Sequence, residues 1–332
     1  DVLLVYHQGG FGHTIHGPDL VRRLFPGQRI VVLYMRQGSI HNPLVARIWP
    51  DIDMVFLPIE FVWRQRARQW RMPWFLCLKS EWLAAAMKRL FKGKTVLTPT
   101  DLYSLACRES DHAQTGPVAT EYLPAYYRLL SRVPAVSPRL PADWKRQVEQ
   151  RLVRHAAKYQ KMCCLYLRAK GDAGDLDSSS RRRIGSPIQN YWAAMKILNA
   201  RGYLILLVGD RRLENGDRVE LGDGVVDAAA LGLSDNLLYL YAALSCDIAV
   251  LECGGGRWLP TYRHIPHLVV NAFPFGFTSD GGTIYYKSVV GSDGTALDPR
   301  LLFGPMSQKY DFDSARVEIN TGEELAEAIA DF

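Results

Sequence analysis

The sequence predicts an α/β protein of two doubly wound, Rossmann-like domains whose parallel sheets face each other across a cleft. Three observations predict it. Short apolar strands alternate with helical stretches through both halves. The chain has 332 residues, 48% of them hydrophobic, enough to bury two cores. Between the halves, Arg132–Pro141 carries three prolines in eight residues and reads as a linker, which places the domains at 1–135 and 136–332.

In the first half the predicted strands are Val2–Tyr6, Arg29–Tyr34, Asp53–Leu57 and Thr95–Leu97, with helices such as Pro18–Leu24 and Glu81–Phe91 between them. A polar helix, Ala142–Tyr159, opens the second half. Strands Met162–Arg168, Tyr203–Val208, Val225–Val226, Ile248–Leu251 and Leu268–Asn271 follow, with helices Tyr191–Ala200 and Leu237–Ser245 among them. The acidic helix Gly322–Phe332 is assigned to neither domain by pattern alone.

Composition excludes several classes. The six cysteines show no C-x-x-C spacing, so neither a zinc site nor a disulfide framework is expected, and a reducing cytoplasm fits. No metal or other cofactor is expected. No run of eighteen apolar residues, signal-peptide pattern or lipidation motif is present, and the expected location is the cytoplasm or the inner face of a membrane. Basic charge concentrates in residues 1–150, where 20 Lys and Arg stand against 12 Asp and Glu. Much of it lies in Phe61–Lys94, where nine cations interleave with Trp63, Trp70, Trp74, Phe75, Trp82 and Phe91. That mixture suits peripheral contact with an anionic membrane. It equally suits an amphipathic helix pair with buried aromatics. A nucleic-acid partner is not expected, because no binding motif accompanies the patch.

The residues that suggest chemistry sit at strand ends. Ile248–Leu251 runs through Glu252 and Cys253 into Gly254-Gly255-Gly256-Arg257 and a helix start, a pattern that exposes backbone N–H groups to an anion. Arg257 is expected to add a forked contact to a diphosphate; a tight turn with a surface arginine is the alternative. The first strand ends in a second glycine-rich loop, Gly9, Gly10 and Gly12, followed by His13 as a candidate base. His7 and His16 are weaker candidates. This loop matches G-x-G-x-x-G only at Gly10 and Gly12, Ile15 fills the third place, and Met35-Arg36 replaces a ribose-binding acid, so a nicotinamide cofactor is not expected. A third strand end delivers Arg168, Lys170 and Asp172: two cations to neutralise a leaving diphosphate and an acid to orient a hydroxyl or act as base. A charged surface loop is the competing reading, as it is for Ser178–Arg183. A fourth ends in Gly209, Asp210 and Arg211, where a small residue leaves room for a ligand or simply starts a turn.

Together, the G-G-x-G-H loop, the L-x-R-x-K-G-D strand end, the G-Y-x-(apolar)-V-G-D strand and the E-C-G-G-G-x-W-L-P segment resemble bacterial glycosyltransferases of the GT-B fold. The likeness is to transferases for surface glycans, and more faintly to fucosyltransferase-like enzymes. It implies metal-independent transfer of a sugar from a nucleotide-sugar donor, held by the C-terminal domain, to an acceptor hydroxyl on a glycan or lipid-linked molecule presented by the N-terminal one. By this likeness His13 would be the base, Gly254–Arg257 would hold the diphosphate with Glu252 counted among the donor-binding residues, and Gly209-Asp210 would lie near the nucleotide or sugar. Tyr166, where a fucosyltransferase-like pattern has histidine, departs from it. So does the helix after the glycines, which carries no ribose-binding acid. A nucleotide-sugar epimerase or hydrolase of the same fold, and a non-catalytic nucleotide-sugar or glycan-binding module, are the alternatives. Asp51-Ile52-Asp53 and Asp311-Phe312-Asp313 fit a metal-binding D-x-D by letter only.

Overall fold

The computed structural model describes residues 1–6, 11–36, 43–60, 80–110, 128–129, 132, 138–168, 185–209, 221–272, 282–297 and 316–332. The chain divides into two compact units, Asp1–Arg139 and Leu140–Phe332.

In the first unit, β1 (Val2–Tyr6), β2 (Ile30–Arg36), β3 (Ile52–Glu60) and β4 (Thr95–Leu97) form a parallel sheet in the order β3-β2-β1-β4. Helix α1 (Phe11–Leu24) links β1 to β2, α2 (Ser80–Leu90) lies between β3 and β4, and α3 (Pro99–Glu109) follows β4. Helix α3 starts where the sequence says it must. Thr98 accepts from the Asp101 N–H, the Asp101 carboxylate accepts from the Thr98 N–H, and Pro99 needs no donor at the first position. Helix α1 starts seven residues earlier than the sequence reading. Pro18 suggests a first helical position, yet it lies inside α1. The burial of Ile15, Leu20 and Val21 offsets the hydrogen bond that the ring cannot donate.

In the second unit the polar helix is α4 (Ala142–Ala156), and the main sheet holds β5 (Lys161–Leu167), β6 (Tyr203–Gly209), β7 (Val225–Val226), β8 (Ile248–Glu252), β9 (His267–Ala272) and β10 (Gly282–Tyr286). Its order is β10-β9-β8-β5-β6-β7, and every pairing is parallel. Counted from β5, this is the doubly wound order 3-2-1-4-5-6. Leu204–Val208 and all of β9 are buried, as strands covered on both faces must be.

Alternation decides which face each side chain joins. Cys163, Leu165 and Leu167, with Ile205, Leu207, Val250, Leu268 and Val270, pack under α5 (Trp192–Ala200) and α9 (Gly322–Asp331). This places the acidic C-terminal helix on the second unit. On the other face α7 (Asp235–Ser245), whose residues Leu237–Leu244 are all buried, packs on β6, α4 and α8 (Trp258–Tyr262). The short α6 (Ala228–Leu231) precedes α7, and β11 (Ser288–Val290) pairs antiparallel with β12 (Arg316–Glu318).

Gly209 closes β6 at φ +95, with the Leu167 carbonyl where a Cβ would sit. Space for a ligand is therefore not what requires glycine here; the approach of β6 to β5 does. Gly209→Ala should lower unfolding free energy in urea by about 2 kcal/mol or more. A loss below about 0.5 kcal/mol would mean that the strand end accommodates the methyl group without strain.

Candidate functional site

Doubly wound sheets bind ligands beyond the carboxyl ends of their strands, where the strand order reverses. In the second unit that reversal falls between β5 and β8, which pair from Cys163↔Ile248 to Tyr166↔Leu251. The residues that follow are Arg168 on one side and Cys253-Gly254-Gly255-Gly256 on the other. Arg168 is partly exposed, and its guanidinium donates to the Cys253 carbonyl at 3.2 Å. Gly254 is extended, and a Cβ on it would make only ordinary contact with Arg168. Gly256 differs: a Cβ there would lie 2.8 Å from the Tyr166 ring. Tyr166 packs edge-on against Tyr239 at 5.6 Å, and the Tyr239 hydroxyl donates to the Gly256 carbonyl at 2.6 Å. Two tyrosines thus form the floor of the glycine turn and hold its backbone in place.

Beside this turn lies a buried polar network centred on Glu252, which is 1% exposed. The Arg168 N–H donates to Oε2 at 2.6 Å. The Ser186 N–H, the Tyr191 hydroxyl and the Asn271 amide donate to Oε1 at 2.7, 2.8 and 3.2 Å. Asn271, at φ 52, exchanges backbone-to-side-chain hydrogen bonds of 2.7 Å with Asn320 in both directions. Asn320 also accepts from the Ser186 hydroxyl at its carbonyl and donates to the Tyr286 carbonyl. Burial pushes the Glu252 carboxyl up to about 7 against the opposing pull of its donors and of Lys287. It also holds the Tyr191 hydroxyl well above its ordinary value, with the Glu252 charge adding to the effect.

Lys287, between β10 and β11, is the residue that sequence reasoning missed. It is 3% exposed, its backbone N–H donates to the Ala272 carbonyl at the end of β9, and its ammonium feels Glu252, Cys253 and Arg168. Burial lowers its pKa to about 8, while Glu252 opposes the drop. A lysine directly after an apolar strand was a possible signal, but only the sheet order brings it to Glu252.

The other predicted residues fall as follows. Arg257 is not a surface arginine: it is 2% exposed, with its guanidinium carbon 4.9 Å from the centre of the Trp258 ring. It is the last residue of the short 3-10 turn Gly255–Arg257. The five-residue α8 that follows is too short for a strong dipole. Glu252 lies on the face of Val250, turned toward α5. Gly12 and His13 are the second and third residues of α1, so Gly12 is not a loop residue; the His13 side chain is not among those described. His16 is a core residue, 1% exposed, stacked on Tyr103 and 3.3 Å from its hydroxyl. Asp51 and Asp53 pair with Arg22 and Arg29 at 2.6 and 2.9 Å. His7, Gly9, Gly10, Lys170, Asp172, Asp210, Arg211, Ser178–Arg183 and Asp311–Asp313 lie outside the described residues. No metal-binding cluster of His, Cys, Asp and Glu occurs among the described residues.

No protein-family model matches the chain, and comparison with curated proteins gives no match. Solved structures do. The chain is similar to a family 9 glycosyltransferase from Veillonella parvula, with 12% identity over 86% of this chain and 85% of that one at a TM-score of 0.51. It is also similar to the E. coli ADP-heptose lipopolysaccharide heptosyltransferase II, with 13% identity over 100% and 99% at 0.51. Neither is a fucosyltransferase. At these identities the likeness establishes the fold, which is that of the GT-B glycosyltransferases.

The raised Glu252 carboxyl makes stability depend on pH. Its folded value near 7 exceeds the ordinary 4.5, so its contribution is complete below about pH 4.5 and is lost as pH rises through about 7. Relative to Glu252→Gln, wild type should lose on the order of 3 kcal/mol between these limits, read from urea unfolding at each pH. Parallel pH profiles for the two proteins would show that the carboxyl does not titrate in that window.

Proposed function

We propose that this chain is a glycosyltransferase that moves a sugar from a nucleotide-sugar donor to an acceptor hydroxyl in surface-glycan synthesis. The observation that carries the reading is the meeting of Arg168 and the tyrosine-backed glycine turn at the order reversal of a doubly wound sheet. In this reading the second unit takes the donor. Arg168, Lys170 and the Gly254–Gly256 backbone bind the diphosphate, Lys287 adds positive charge behind them, and Gly209-Asp210-Arg211 lies near the nucleotide or sugar. Glu252 holds the Arg168 backbone in place from the interior. The first unit presents a glycan or lipid-linked acceptor, and Gly9, Gly10 and the start of α1 bring His13 to it.

The reaction then needs two things from the chain. His13 takes the proton of the acceptor hydroxyl as its oxygen attacks the anomeric carbon, with Asp172 orienting the hydroxyl or serving as the alternative base. Arg168 and Lys170 meet the charge that develops on the departing diphosphate, so that no metal is required. The structural similarity to an ADP-heptose enzyme makes an adenosine diphosphate sugar the first donor to try.

Two measurements test the reading. A thermal-shift series with ADP, GDP, UDP, CDP and their sugars should show stabilisation by one base, worth about 2.7 kcal/mol at a hundred times Kd, and weakened in Arg168→Ala. No shift with any nucleotide would remove the donor site. With an active donor, His13→Ala should lose roughly 10²–10⁴-fold in turnover while still binding the nucleotide. Normal turnover in that variant would end the base assignment, and sugar release without acceptor would point to a hydrolase.

A further inference from the structure

We propose that the outer face of α2 and the turn that follows it form a docking surface for an anionic lipid bilayer. Among the described residues, Leu83, Ala84 and Met87 of α2 pack against Val5, Val96 and Leu3. Trp82, Ala85, Ala86 and Arg89, at the spacing i, i+3, i+4, i+7, form the opposite stripe, and all four are exposed. Trp82 is 45% exposed, Leu90 72% and Phe91 49%. Six large apolar side chains are exposed among the described residues, and three of them fall within these ten positions. Buried aromatics, the competing reading of this segment, are therefore not what its described part contains.

Charge selects the partner. Residues 82–94 hold Lys88, Arg89, Lys92 and Lys94 and no acid, and Arg89 and Lys92 bracket Leu90-Phe91 directly. Lys88 reaches Asp101 at 3.8 Å and Lys94 reaches Asp1 at 2.5 Å, both as exposed pairs that lipid phosphates can replace at little cost. An indole and a phenyl ring between cations match the boundary between acyl chains and anionic headgroups. No helix among the described residues is long and apolar enough to cross a membrane, so the contact is peripheral.

The surface lies in the first unit, and vesicle binding is measured without nucleotide, so this inference stands or falls apart from the transferase reading. The full chain is floated with vesicles of phosphatidylcholine, alone or mixed with phosphatidylglycerol, at low and high salt. Wild type should float with the anionic vesicles, less so with phosphatidylcholine alone and less at high salt. The variant Arg89→Glu/Lys92→Glu should partition at least roughly 30-fold more weakly, at about fivefold for each cation removed. Leu90→Ser/Phe91→Ser, changed only at exposed positions, should lose binding while keeping the wild-type melting temperature. Absence of flotation, or flotation unaffected by both variants, overturns the proposal. So does concentration-dependent dimerisation abolished by Leu90→Ser/Phe91→Ser, which would assign the face to a second copy of the chain.

Discussion

Glu252 is surrounded by donors because it is buried. Removing an ionised carboxyl from water costs several kcal/mol, and only converging hydrogen bonds offset that. Here they come from β5 through the Arg168 N–H, from the 185–191 segment through Ser186 and Tyr191, and from β9 through Asn271. Asn271 carries the constraint on to Asn320, which sets the entry to α9. One side chain therefore registers the end of β8 against four other segments. A carboxylate suits this role better than an amide, since all of the neighbouring groups donate and none needs a proton in return. Burial nevertheless wins over the donors, leaving a group poised near neutrality and not a permanently charged one.

The same burial shapes the charge at the strand ends. Lys287 would hold its proton far more firmly in water, yet here it titrates near 8. A lysine and a glutamate that both sit close to neutrality form a pair whose net charge responds to what arrives beside it. An anion near Arg168 favours protonation of both, because added negative charge stabilises the ammonium and disfavours the carboxylate. Tyr166, Tyr239 and a buried acid give this crevice a fixed frame; the adjustable part is where the protons lie.

Much of the fold could be read from the sequence, because parallel strands buried on both faces announce themselves as apolar runs. Val2–Tyr6, Thr95–Leu97 and Val225–Val226 fall at the predicted positions, and the other predicted strands move by one to three residues at an end. Helix α1 was harder. Pro18 carries a strong local signal for a first turn, and burial of residues around it overrides that signal. Arg257 shows a different limit: an arginine beside glycines reads equally as a surface residue in the sequence, and only the packing around Trp258 shows that it is buried. Glu252 could have been placed correctly, since period-two alternation puts it with Ile248 and Val250 on the face under α5. Lys287 could not, because it lies far from Arg168 along the chain and becomes a neighbour only through the order of six strands.

The exposed face of α2 follows from a related asymmetry. Among the described residues, the sheet of the first unit takes Leu83, Ala84 and Met87 from α2, three positions on one side of the helix. Leu90 and Phe91 stand outside that packing, exposed, and polar residues there would cost the fold little. Exposed apolar groups flanked by like charges also gain nothing from each other: the cations repel, and water meets the rings. Such an arrangement is unfavourable for an isolated soluble unit and becomes favourable once an apolar, negatively charged phase lies against it. In the membrane reading, the residues of this helix divide between two environments, one supplied by the sheet and one by the bilayer.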